Sequence, residues 1–89
     1  MPTIVVTRPS KDDLAEIGAL DWPIWTCEPS QFDWSYDQKE TCYILEGNVT
    51  VTAKDQEATF GPGDLVVFPK GLKCVWKVHA AVRKHYKFE

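Results

Sequence analysis

From Trp22 to Phe88 the chain is written almost entirely in short runs of aromatic and β-branched residues broken by turn signals. Pro23–Glu28, Gln31–Tyr36, Glu40–Glu46, Asn48–Ala53, Glu57–Phe60, Leu65–Phe68, Cys74–Val78 and Val82–Phe88 each read as a strand, and Thr3–Thr7 adds one more, about nine in all. A parallel pair needs a crossover of about a dozen residues or more, and the spacers here are far shorter. The predicted sheet is therefore antiparallel and closed into a barrel or sandwich. Thr50 and Thr52 alternate with Val49, Val51 and Ala53, the pattern of a strand with one wet face. Gly47-Asn48 and Lys54-Asp55-Gln56 read as hairpin turns, and Gly61-Pro62-Gly63-Asp64 as a tight loop. Ahead of the strands, Ser10 and Asp13 form a capping-box pattern, Leu14 and Ile17 follow at helical spacing, and Gly18 can end the turn. One short N-terminal helix is expected there.

Eighty-nine residues suit one domain spanning 1–89. A chain this small buries only about 60% of its unfolded surface, so each core residue must contribute heavily. Four Trp, four Phe and three Tyr supply that bulk. A 10.1 kDa barrel this aromatic is expected to cover part of its surface against a second copy as a homodimer. The opening MPTIVVTRPSKDD has no basic segment followed by an apolar one, so no signal peptide is expected. No apolar run approaches the roughly 18 residues of a membrane helix. An odd count of three cysteines then reads as reduced thiols in the cytoplasm.

A net charge of −3 argues against a nucleic-acid binder. The charge is unevenly spread: residues 1–64 hold twelve acidic and four basic side chains, whereas residues 65–88 hold six basic and no acidic ones. This reads as C-terminal strands lying beside acidic N-terminal ones in cross-strand pairs. The alternative is a positive rim that draws in anionic small molecules.

Two segments carry a family resemblance. In Asp33-Trp-Ser-Tyr-Asp-Gln-Lys-Glu40-Thr-Cys-Tyr-Ile-Leu-Glu46-Gly47, a Glu stands seven residues before a Gly; Gly63-Asp-Leu-Val-Val-Phe-Pro69-Lys-Gly71-Leu-Lys-Cys74 fits a G-x5-P-x-G-x2-H pattern up to its last position. These resemble the two motifs of the cupin superfamily. The phrases Trp22–Trp25, Glu40–Gly47, Phe68–Gly71 and Arg83–Tyr86 are similar to those of small cupins grouped with ureidoglycine aminohydrolase. The resemblance implies an all-β jelly-roll barrel or sandwich, usually dimeric, and no particular activity.

Metal-binding cupins offer two His upstream of the Glu and a third after the second motif's Gly. Here the upstream positions fall on Asp33 and Ser35, or on Trp34 and Tyr36, and the downstream one on Cys74. Glu40 alone keeps its type. Glu40 and Cys74 are then candidate ligands for one divalent transition metal, Zn²⁺ or Fe²⁺, unless the site is degenerate and metal-free. Asp33, Tyr36 or His85 could complete such a set. A carboxyl among Trp and Tyr rings loses hydration, which also makes Glu40 a candidate general acid or base. The alternative for Glu40 is a carboxylate held by a neighbouring strand's Lys or by tyrosine hydroxyls. Cys42 shares Glu40's face and could line the pocket beside Cys74, or pack as core. Trp34, Tyr36 and Trp76, with Trp25 and Phe68, could form an aromatic cage or simply fill the interior. His85 lies on the strand face opposite Lys84 and Tyr86 and reads as a hydrogen-bonded structural residue. His79 falls in a predicted turn, exposed to solvent.

Three functions fit these residues: a binder of a small polar or anionic metabolite, a metal-dependent enzyme resembling ureidoglycine aminohydrolase and acting on a nitrogen-rich or carboxylate substrate, or a non-catalytic interaction scaffold.

Overall fold

The computed structural model describes residues 3–89. It holds seven strands, a helix and a 3-10 turn: β1 (Val5–Thr7), α1 (Lys11–Ile17), the 3-10 turn (Ala19–Asp21), β2 (Ile24–Cys27), β3 (Ser30–Ser35), β4 (Glu40–Ala53), β5 (Glu57–Phe60), β6 (Leu65–Phe68) and β7 (Lys73–Phe88). All pairings are antiparallel. The helix begins and ends where its residues direct. Ser10 accepts from the Asp13 backbone N–H while Asp13 accepts from the Ser10 backbone N–H, and Gly18 closes the last turn at φ 71°.

The architecture rests on β4 and β7, which run side by side from Glu40↔Phe88 to Ala53↔Cys74. Each carries two shorter strands on its free edge. The first half of β4 pairs with β6, which pairs onward with β1, while the second half of β7 pairs with β2. The second half of β4 pairs with β5, and the first half of β7 with β3. The seven strands form one continuous hydrogen-bonded sheet that folds into two layers, taken below as the two sheets, β1-β6-β4-β7-β2 and β5-β4-β7-β3, which share the two long strands. They close on one core in which Cys42, Ile44, Val66, Phe68 and Val82 of the first sheet meet Val49, Val51, Phe60, Trp76 and Val78 of the second. Phe68 ties the layers together, with ring centroids 5.9 Å from Phe60 and 5.5 Å from Trp76.

Two expectations from the sequence are corrected here. Gly47-Asn48 is not a hairpin turn but an irregular stretch inside β4, and no break separates Cys74–Val78 from Val82–Phe88, so nine expected strands become seven. His79 accordingly lies within β7, exposed, with Nε2 2.9 Å from Thr50 Oγ1. The reason is a change of phase. Glu40, Cys42 and Ile44 are buried at even positions, whereas Val49 and Val51 are buried at odd ones. A continuous ladder would send one of these sets outward. Register shifts between Ile44 and Val49 absorb the odd residue and keep both sets inside. Gly47 sits at φ 110°, where a Cβ would lie 2.6 Å from the Val82 Cα and 2.7 Å from the Ala81 carbonyl oxygen. The Lys54-Asp55-Gln56 hairpin and the Gly61–Asp64 loop form as expected, closed by Ala53 N–H to the Gln56 carbonyl (2.8 Å) and Asp64 N–H to the Gly61 carbonyl (3.1 Å).

Gly47→Ala is expected to lower unfolding stability by about 3 kcal/mol or more, because the clash is with backbone that cannot step aside. Gly18→Ala, equally left-handed but with nothing within 4 Å of the added carbon, should lose only about 1–2 kcal/mol. Urea denaturation of the two variants checks this contrast.

Candidate functional site

The shared strands position a cavity of about 240 Å³ between the two sheets. Its walls are aromatic: Trp25 from β2, Phe32 and Trp34 from β3, Tyr36 just beyond β3, and Trp76, Tyr86 and Phe88 from β7. Inward alternation selects these residues. Phe32 and Trp34 lie opposite Trp76 and Cys74 in the ladder, and Trp25 lies opposite Lys84. The loop before β7 fixes Tyr36, whose backbone N–H donates to the Leu72 carbonyl (2.9 Å) and whose carbonyl accepts from the Gly71 N–H (2.6 Å). Its ring stacks on Phe68 with centroids 5.0 Å apart and planes 7° from parallel. Asp33 and Ser35 border a separate, open groove with Lys54 and Lys73. Of the two alternatives for the upstream motif positions, the cavity thus holds Trp34 and Tyr36.

Two charges lie among the rings. Glu40 opens β4 and is 4% exposed. Tyr36 Oη donates to Glu40 Oε1 (3.0 Å), and Lys84 Nζ donates to Oε2 (3.1 Å). Trp76 Nε1 in turn donates to Tyr36 Oη (3.2 Å). The Lys84 ammonium lies 4.5 Å from the Trp76 ring centroid and 4.9 Å from that of Trp25. Burying two charges removes their hydration, and a close pair with further hydrogen bonds offsets that loss. Here each member has at least one partner: among the described residues no buried side-chain nitrogen or oxygen lacks one. Of the two readings of Glu40, the geometry supplies the carboxylate held by a neighbouring strand's Lys and a tyrosine hydroxyl. Burial, reinforced by the Glu40 charge, drives the Tyr36 phenol far above its ordinary range, so it acts as a neutral donor.

The cysteines sit elsewhere. Cys42 is fully buried under the floor, and Cys74 is nearly so and opens onto the separate groove. Burial pushes the Cys42 thiol up to about 12, against the opposing pull of the Lys84 charge, and the Cys74 thiol up to about 11, with the Glu40 charge adding to the rise in both. Phe68 packs behind Tyr36 and does not line the cavity. His85 is buried outside it, Nδ1–H donating to the Trp22 carbonyl at 2.8 Å.

These residues do not fit a bound divalent metal. Both carboxylate oxygens of Glu40 are engaged, and the group beside Oε2 is an ammonium that repels a dication. A protein-bound Zn²⁺ takes about three side-chain ligands, and among the described residues no three His, Cys, Asp or Glu converge.

Lys84 is the residue that sequence reasoning left out of the site. The signal was present, since alternation places Lys84 on the same face as Tyr86, and that face turned inward. Phe32, Tyr86 and Phe88 follow from the same alternation. The charge asymmetry along the chain is realised in part by this pair, and Arg83 stands opposite Glu46 in the same ladder.

Comparison with known proteins accords with this architecture. The EutQ-like cupin domain profile matches residues 14–86. The chain is similar to a DUF861 family protein from Thermotoga maritima, with 50% identity over 98% of this chain and 100% of that one at a TM-score of 0.95. EutQ of Clostridium difficile shares 23% identity over 73% of this chain at a TM-score of 0.68, and this chain spans only 52% of its length. A DUF861 family protein from Pseudomonas syringae shares 25% identity over 74% of this chain and 29% of its own, at a TM-score of 0.67. No curated protein matches.

Lys84→Met is expected to lower stability by about 3–5 kcal/mol, because it strands a buried carboxylate. Glu40→Gln combined with Lys84→Met should recover much of that loss, and chemical denaturation of both variants measures it. The thiols give a second expectation. At pH 8 Ellman's reagent should label half-buried Cys27 and spare Cys42 and Cys74 in the folded protein. An unperturbed cysteine ionises near 9.0, so the stability held by these protonated thiols is complete below that pH and is lost as pH rises towards 11 and 12. Alkaline unfolding of Cys42→Ala should show a shallower loss over that window.

Proposed function

The chain belongs to the EutQ-like cupin domain family, and from that standing we propose that it binds a small polar or anionic metabolite in the aromatic cavity, over a degenerate site without metal. One observation carries the reading: a cavity between the sheets reaches a buried Glu40–Lys84 pair. Small-molecule sites are mostly apolar concavities with a few convergent polar groups that fix orientation, and this cavity has that make-up. An interior packed solid would have favoured a scaffold instead. The reading takes Glu40, Lys84 and Tyr36 as the polar contacts and Trp25, Trp34 and Trp76 as the rings that enclose the ligand.

The same reading places the protein in the cytoplasm as a homodimer. Three free cysteines suit a reducing compartment. Among the described residues no helix is long and apolar enough to cross a membrane. Val5 and Val6 on β1 and Ile24 on β2 are exposed at the two ends of one sheet, where a second copy would cover them.

Kinship to the ureidoglycine aminohydrolase group would make the protein a metal-dependent enzyme, and metal content separates the two readings. Protein purified without chelator and incubated with Zn²⁺, Fe²⁺ or Mn²⁺ is expected to hold far less than one metal per chain. Near-stoichiometric metal that disappears in Glu40→Gln would overturn the metal-free reading. In parallel, a fragment screen by amide NMR should move resonances of the cavity-lining residues and leave those of β1 and α1 in place.

A further inference from the structure

Building on the proposed binding role, we infer that the cavity selects an uncharged, planar ligand bearing a primary carboxamide or lactam, rather than an anion or a cation. Glu40 and Lys84 neutralise each other within 3.1 Å, so the floor of the cavity carries no net formal charge. An anion seated there would lie against Glu40 with only a shared ammonium in compensation. A cation would meet Lys84 in the same way. Beside two charged side chains that are each only 5% exposed, an added unpaired charge is disfavoured, whereas a neutral ligand leaves the pair intact.

The pair nevertheless keeps spare hydrogen-bonding capacity of both kinds. A carboxylate offers about four lone-pair sites, and Glu40 uses two here, for Tyr36 and Lys84. An ammonium has three donors; one goes to Glu40, and the nitrogen otherwise faces the rings of Trp25 and Trp76. An acceptor and a donor thus stand side by side. A planar amide presents its N–H and C=O on one edge, with nitrogen and oxygen about 2.3 Å apart given standard bond lengths. Its N–H would donate to Glu40 and its carbonyl would accept from Lys84.

Size and wall chemistry narrow the ligand further. An apolar cavity of about 150 Å³ is enough for benzene, so 240 Å³ suits one ring with a small substituent. Flat aromatic walls favour a flat partner through offset stacking and edge contacts.

The test is a set of four near-isosteric probes measured at pH 7.5 by titration calorimetry and amide NMR: benzamide, benzoate, benzylamine and acetophenone. Benzamide is expected to bind at least tenfold more tightly than benzoate and benzylamine, which differ in charge. It should also exceed acetophenone at least tenfold, since acetophenone keeps the carbonyl but replaces the amide nitrogen with a methyl. Glu40→Gln should shrink the benzamide preference over benzoate, provided its amide spectrum stays dispersed. The ligand series decides the question even if that variant does not fold. Benzoate or benzylamine binding more tightly than benzamide would overturn the inference and leave the cavity's binding role standing. Acetophenone matching benzamide would also overturn it. No perturbation of the cavity-lining residues by any probe at millimolar concentration would overturn both.

Discussion

The pairing of β4 with β7 is the constraint from which the rest of the molecule hangs. These two strands carry every other sheet contact except that of β1, which reaches them through β6. Because each is shared between two sheets, their irregular middle decides how the layers close on each other. A ladder of even phase would bury Glu40, Cys42 and Ile44 and expose Val49 and Val51, so the register shifts near Gly47 are what allow one core. The same pairing brings the start of β4 beside the end of β7. That is how residues 44 positions apart, Glu40 and Lys84, meet inside the protein.

The polar floor and the aromatic walls depend on each other. A lone carboxylate or ammonium at this depth would be intolerable, and a lone pair of them would still lack partners for its remaining donors and acceptors. Tyr36 supplies one partner and is itself held by Trp76, while the faces of Trp25 and Trp76 flank the ammonium. Phe68 and Phe60 then brace Tyr36 and Trp76 from behind, with Phe60 5.8 Å from Trp76. Stacked and edge-on contacts of this kind are each worth about 0.5–1.5 kcal/mol beyond burial. Their larger effect is geometric, because they hold the donor atoms in place.

Much of this was legible in the residues. The capping box at Ser10, the left-handed Gly18 and the loop at Gly61–Asp64 are local chemistry, and local chemistry reads directly. The family motifs marked Glu40, but they left open whether Trp34 and Tyr36 or Asp33 and Ser35 take the upstream positions, and only the fold decides between the two pairs. Gly47-Asn48 misled because a glycine needed for close approach looks the same, in sequence, as a glycine needed for a turn. Its contact with Val82 joins two strands far apart in the chain. Lys84 was passed over for a related reason. A lysine in a strand is normally a solvated residue, and only the fold reveals the carboxylate that makes its burial tolerable.

The strands that enclose the cavity differ in how firmly they are held. Its floor lies on β4 and β7, each bonded along both edges, whereas Trp25, Phe32 and Trp34 ride on β2 and β3, each of which, among the described residues, pairs only with β7. A strand with one partner opens by breaking one ladder, so its amides exchange with solvent through small fluctuations that leave the rest of the fold closed. The cavity therefore has a base held by two ladders and a wall held by one. A small molecule bound against that wall would slow hydrogen exchange in β2 and β3 more than in the strands on which it rests.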